Sequence, residues 1–234
     1  MATVYKTPFE KPVAECKPAA PATLTPEQQK KYDDVLTAVK SWEALPKTSA
    51  KGAETAPLDD EEKMWLTREC LLRYLRATKW HTQQAIKRIQ ESVVWRREYD
   101  LKKLTAEYIS EENSTGKQVV FGFDNEGRPC LYLLPNKQNT KNSPKQIEHL
   151  VYMLERTLDI APPGQETLAL LIDFRNSSAG SNPSVGTGRA VLNILQNHYP
   201  ERLGRALITH RKSLLAILTC RRTALTRSTQ CPGM

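Results

Sequence analysis

Five basic side chains, Arg73, Arg76, Lys79, Arg96 and Arg97, fall within two neighbouring stretches of helical period, "LLRYLRATKW" and "AIKRIQESVVWRREY". A guanidinium presents forked donors that match phosphate oxygens, and a lysine adds a point charge on a flexible stem. Such a cluster is either a phosphate site or a solvated basic face, and residue type alone leaves both readings open. Asp173 is a second candidate, because it ends the apolar run "ETLALLIDF" and α/β sheets bind ligands at the carboxyl ends of their strands. The same carboxylate can instead cap the turn that follows.

Catalytic constellations do not emerge. The chain has no G-x-S-x-G, no H-E-x-x-H and no phosphate-binding P-loop. "GTGRA" at 186–190 has two glycines, but it lacks the third and follows Pro183 and Ser184 at a helix start, not the end of a strand. His81, His149, His198 and His210 show no metal-ligand spacing. Cys16, Cys70, Cys130, Cys220 and Cys231 are odd in number and form no C-x-x-C pair, which favours free thiols over a disulfide framework or a zinc site. No nucleophile stands with a base, so the expectation is a binding protein, not an enzyme, with no catalytic residue, cofactor or metal.

Hydrophobic content of 39% and charged content of 26% are those of an ordinary water-soluble protein. No apolar run approaches the ~20 residues of a membrane-spanning helix. The N-terminus, "MATVYKTPFEKPVAECKPAAPATLTPE", lacks the apolar core of a signal peptide, and the expected location is cytoplasmic. The net charge is +8, but Arg211, Lys212, Arg221, Arg222 and Arg227 stand in an acid-free final segment, and the body without them carries +3. A charge so concentrated is weak support for nucleic-acid binding, which is not expected here; attraction to an anionic membrane surface is at least as natural.

The elements that must position these residues are readable from their periods. Residues 1–24, rich in Pro, Ala and Lys, read as a mobile arm. Thr25, Pro26 and Gln28 form a helix-start signature with a capping box, and Val35, Leu36, Val39 and Trp42 supply its apolar stripe. "LPKTSAKGAETAPLDD" reads as a linker. "DDEEKMWLTRECLLRYLRATKW" reads as one helix with Asp59 and Glu62 at capping-box spacing and Leu71, Leu72 and Leu75 on its buried face. A further helix capped by Thr82 carries Ala85, Ile86, Ile89, Val93 and Tyr99. The helical layer thus spans 25–112. The period then changes: "KQVVFGFD" and "PCLYLLP" flank "NEGR" as a close pair of strands. Next come a helix through Ile147, Leu150, Val151, Leu154 and Leu158, a central strand at "ETLALLIDF", a helix at "NPSVGTGRAVLNILQNHY" and a strand beginning at "RALI". This alternation argues an α/β fold with a partly parallel sheet.

The strings "LLRYLRATKW", "AIKRIQESVVWRREY", "LALLIDF" and "LNILQNHYPERLGRALI" closely resemble the CRAL-TRIO lipid-binding family over about residues 60–208, with wording nearest the fungal phosphatidylinositol-transfer type. The resemblance implies an α/β fold in which a helical N-terminal layer precedes a CRAL-TRIO-type mixed, largely parallel sheet with flanking helices. It implies a non-enzymatic carrier that holds one lipid in an apolar pocket and visits membranes transiently as a monomer, peripherally associated with endomembranes or lipid droplets. By that resemblance Lys79 and Glu201 contact the headgroup, with Thr78 where the best-known relative has Arg. Leu168, Leu170 and Ile172, or their alternating partners, line the pocket. Leu168 and Leu170 stand where that relative uses hydroxyls to bind phosphatidylcholine, so the implied ligand is phosphatidylinositol, with sterol second and phosphatidylcholine poor. A membrane-docking adaptor without transfer is the other reading.

After "YPERLGRALI" the family pattern continues for some sixty residues that supply a gate helix and closing elements. "THRKSLLAILTCRRTALTRSTQCPGM" resembles none of them. Residues 113–208 are therefore expected to be an incomplete lipid-binding core, and 209–234 a non-homologous basic tail. An unfinished core would leave a strand edge unpaired and apolar surface exposed, which makes transfer by this truncated chain doubtful.

Overall fold

The computed structural model describes residues 7, 9–16, 20–21, 23–141, 143–178 and 184–209. The tail at 209–234 therefore falls outside the described residues except for Thr209. Helix α1, Pro26–Lys40, begins on the expected capping box: Thr25 Oγ1 accepts from the Gln28 N–H at 3.2 Å, and the Gln28 side chain accepts from the Thr25 N–H at 3.0 Å. The linker after it contains a short antiparallel ribbon, β1 (Ala44–Pro46) and β2 (Thr55–Pro57). Arg97, from the following helical pair, donates to the carbonyls of Leu45, Pro46, Ala56 and Pro57. That clamp, and not local propensity, holds two three-residue strands together.

The stretch read as one helix is two. α2, Asp60–Trp65, starts on the Asp59–Glu62 capping box and stops at Leu66. α3, Arg68–Ala77, restarts on Thr67, whose hydroxyl accepts from the Cys70 N–H at 3.1 Å. α4, Thr82–Tyr99, follows. Thr82 is its first helical residue and not its cap; His81 occupies the cap position without a side-chain bond to the backbone. Leu71, Tyr74, Leu75, Ala85 and Ile89 are fully buried with Val35 between α1, α3 and α4. This core makes the helical layer one packed unit.

A short helix, α5 (Ser110–Asn113), leads into the sheet. β3 (Gln118–Phe123) and β4 (Pro129–Leu133) pair antiparallel around the Asn125–Arg128 turn. α6 (Lys145–Asp159) crosses to β5 (Leu168–Asp173), and α7 (Val185–His198) crosses to β6 (Leu203–Thr209), each new strand joining parallel to the last. The strand order is β3-β4-β5-β6, a mixed sheet with helices alongside, so the α/β fold stands as expected. The α6 side of the sheet forms a core of Leu131, Met153, Leu154 and Leu168, with Val120, Leu133, Leu170 and Leu195 packed against it. At the β5–β6 junction, a Cβ on Gly204 would lie 2.4 Å from Arg128 Nε and 2.5 Å from Thr167 Oγ1. Only a glycine admits the Arg128 side chain at that approach.

Candidate functional site

The basic cluster on α3 and α4 does not form one open phosphate face. Arg76 reaches Glu166 at 2.6 Å, Arg96 pairs with Glu155, and Arg97 pairs with Glu62 while it clamps the ribbon. Arg73 is 4% exposed and sits 3.8 Å from the Glu166 carboxylate. Lys79 alone of the five is left exposed without an ion pair among the described residues. Asp173 resolves toward the turn reading: its Oδ1 accepts from the Arg175 N–H at 2.9 Å and from the Thr209 hydroxyl at 2.9 Å. The "GTGRA" glycines lie inside α7, whose N-terminus is capped by Ser184 through the Thr187 N–H.

Lys79 and Glu201 occupy matching positions in the architecture. Each follows a helix, α3 or α7, and each adopts the left-handed backbone, at φ 52° and 58°. Both side chains are exposed. The two turns belong to neighbouring elements, because the C-terminus of α7 is tied down on α3 and α4. The Tyr74 hydroxyl donates to the His198 carbonyl at 3.3 Å, Arg88 to the Gln196 carbonyl at 2.5 Å, and the Ser92 hydroxyl to the Asn197 carbonyl at 3.2 Å. Thr78 is placed differently. It is buried at the end of α3, and its hydroxyl donates back to the Tyr74 carbonyl at 2.9 Å. The same carbonyl also accepts from the Thr78 N–H at 3.0 Å, so Thr78 closes the end of α3 and shapes the turn that presents Lys79.

Leu168, 2% exposed, lies in the core on the α6 side, and Leu170, half-buried, packs against that core. Ile172, in the same alternation, shares their face toward the strand's end. The partners that alternate with them lie on the other side of the sheet. The ladder sets Val119 beside Tyr132, Tyr132 beside Leu171 and Leu171 beside Leu207. Paired residues point to one face, so these four form an apolar row across all four strands. Val119, Tyr132 and Leu171 are half-buried, and Leu207 is 49% exposed. On β3, the Phe9 ring from the N-terminal arm packs on Phe121, centroids 5.3 Å apart, and the Cys16 thiol donates to the Asp124 carbonyl at 3.3 Å. Composition gave no sign of that contact in a Pro- and Lys-rich arm.

Among the described residues no group of His, Cys, Asp and Glu is arranged to hold a metal ion, and no helix is long and apolar enough to cross a membrane. Cys16, Cys70 and Cys130 are free thiols; Cys220 and Cys231 lie outside the described residues.

Comparison with known proteins places this arrangement. The N-terminal domain of the CRAL/TRIO family matches residues 31–91, and the CRAL/TRIO domain itself matches residues 113–217. A CRAL-TRIO domain-containing protein of Schizosaccharomyces pombe is 54% identical over 206 residues, covering 87% of this chain and 20% of that protein. The phosphatidylinositol transfer protein PDR17 of Saccharomyces cerevisiae is 44% identical over 168 residues, covering 67% of this chain and 48% of that protein. The chain thus spans about half the length of one of these relatives and a fifth of the other. The crystal structure of Sfh5 superposes with a TM-score of 0.59 at 13% identity, over 80% of this chain and 72% of that one, which bears on the fold alone. With both of its domains matched in order along the helical layer and the sheet, the chain belongs to the CRAL-TRIO family.

Proposed function

We propose that this chain is a non-enzymatic carrier that takes phosphatidylinositol from one membrane and releases it at another. The observation that carries the reading is the half-covered apolar row Val119–Tyr132–Leu171–Leu207, in a chain similar to a protein named for phosphatidylinositol transfer. Shielding acyl chains is the main energetic task of such a carrier, at about 0.8 kcal/mol per buried CH₂. The sheet face takes the chains, and the exposed Lys79 and Glu201 engage the headgroup, the ammonium at phosphate oxygens and the carboxylate at inositol hydroxyls. Leu168, buried on the α6 side, and the half-buried Leu170 packed against the same core offer no hydroxyl to a choline phospholipid. The carrier works as a cytoplasmic monomer that meets membranes transiently.

Native mass spectrometry of the chain after exposure to a mixed-lipid extract tests this. One phosphatidylinositol bound per chain, in preference to phosphatidylcholine, is the expected result. A folded chain that emerges without lipid overturns the carrier reading. A folded chain carrying sterol keeps the carrier and overturns the headgroup assignment.

A further inference from the structure

On the helical side of the molecule, away from the sheet's apolar row, a cavity of about 170 Å³ opens among α3, α6 and the turn that joins α7 to β6. Its lining includes Arg73, Arg202, Glu155, Asp159 and Tyr199. The charges there do not cancel. Both Glu155 oxygens are occupied, Oε1 by Arg96 at 3.0 Å and the Tyr199 hydroxyl at 2.6 Å, and Oε2 by Arg96 at 3.1 Å. Asp159 is held by Arg156 at 2.9 Å. The Glu166 carboxylate is taken at 2.6 Å by Arg76 and stands 3.8 Å from Arg73.

Two guanidiniums lack a carboxylate at hydrogen-bond distance among the described residues. The Arg73 side chain is 4% exposed, and its Nε has no hydrogen-bond partner among the described residues. Arg202 donates to the Glu166 backbone carbonyl at 2.8 Å and has no carboxylate of its own among the described residues. Burial, with the nearby Arg73 charge second, pushes the Arg202 guanidinium down to about 10. Like charges held together out of water cost free energy unless a counter-charge joins them. At roughly 30 Å³ per water, the cavity has room for about five waters, enough for an anion of four oxygens.

We propose that the Arg73–Arg202 cavity is a binding site for a tetrahedral phosphate, supplied either as free phosphate or as a phosphate-bearing headgroup. The forked donors of two arginines suit its oxygens, and the pairing of Glu155 with Arg96 and of Asp159 with Arg156 offsets the carboxylate charge that would repel it. Arg202 follows Glu201 in the turn between α7 and β6, so the cavity adjoins the Glu201 turn.

The test uses inorganic phosphate with the full chain, at ionic strength matched with chloride. Phosphate, and not chloride, is expected to raise the melting temperature. Arg73→Gln and Arg202→Gln are expected to weaken phosphate about ten- to a hundred-fold. Because either variant could fail to fold, hydrogen exchange on the unmodified chain supplies a second readout: phosphate should protect α3, α6 and residues 199–202 selectively. Phosphorus NMR then separates the sources. Displacement of bound phosphate by phosphatidylinositol vesicles marks a headgroup site, and coexistence marks a free-phosphate site; both uphold the proposal. Equal stabilisation by chloride, phosphate binding that survives in folded variants, or protection spread evenly over the chain overturns it.

Discussion

The Arg96 guanidinium of α4 meets the Glu155 carboxylate of α6 through two parallel hydrogen bonds of 3.0 and 3.1 Å, and the Tyr199 hydroxyl adds a third at 2.6 Å. One carboxylate therefore joins the helical layer, the sheet's covering helix and the turn before β6. Arg96 and Glu155 are each about four-fifths buried. Breaking a buried pair by removing one member leaves the other charge uncompensated, at a cost of roughly 3 kcal/mol. Glu155→Gln is expected to lower unfolding stability by about that amount. Tyr199→Phe, which removes one hydrogen bond, should cost about 1 kcal/mol. The double variant should lose less than the sum, because the residues share one network. Urea titration of the four proteins checks all three values.

Gly204 and Arg128 make a second pair whose geometry predicts its own rescue. A methyl at 204 would press on the Arg128 Nε and Cδ, 2.4 and 2.8 Å away. Arg128 cannot step aside freely, because Asp124, Glu126 and Thr167 all accept from it. Gly204→Ala is expected to destabilise by about 1–3 kcal/mol. Adding Arg128→Ala should recover part of that loss, which thermal melting of the single and double variants measures.

Where the sequence carried a repeating signal, the elements could be read from it. The stripe of Ile147, Leu150, Val151, Leu154 and Leu158 placed α6, and "NEGR" between two apolar runs placed the β3–β4 pair. The break between α2 and α3 was not visible, because Thr67 caps α3 without a Glu or Gln at the third helical position, where Cys70 stands. The β1–β2 ribbon was hidden for a different reason: its support comes from Arg97, some forty to fifty residues away. The continuous apolar run at β5 marked a strand, but which alternate set faced α6 could not be read, since "LALLID" is apolar on both faces. The Arg73–Arg202 cavity could not be read locally, as its two arginines meet only when α7 docks on α3 and α4.

Two histidines, one buried and one half-buried, make the fold less stable in acid. His149 is fully buried; burial first, and then the Lys117 charge, pushes it down to about 4. His198 stacks on Trp95 with centroids 4.2 Å apart, and burial likewise pushes it down to about 4. The unfolded chain protonates near 6.5, so it takes up protons before the folded chain does. Stability from both histidines is therefore complete above pH 6.5 and declines as pH falls toward 4. Each contributes on the order of 3 kcal/mol. Denaturant titrations at pH 7, 5.5 and 4.5 should show stability falling with pH, and His149→Gln should flatten the slope.

The sheet's two faces give opposite expectations for substitutions three residues apart on β5. Leu168 is 2% exposed and packs against Leu131, Met153 and Leu154. Truncating it opens a cavity that the surrounding core cannot fully close, so Leu168→Ala should cost about 2–5 kcal/mol. Its effect on lipid capture should follow that loss of stability. Leu171, on the half-covered face between Tyr132 and Leu207, has less packing to lose. Leu171→Asp puts a charge where acyl chains would lie, and the free carboxylate must lose its hydration when lipid arrives. This variant should stay folded and lose at least ten-fold in phosphatidylinositol extraction from vesicles. If Leu171→Asp extracts lipid normally, the acyl chains do not occupy this face. If Leu168→Ala stays fully stable yet loses extraction, the chains lie on the α6 side, and the core there must open to admit them.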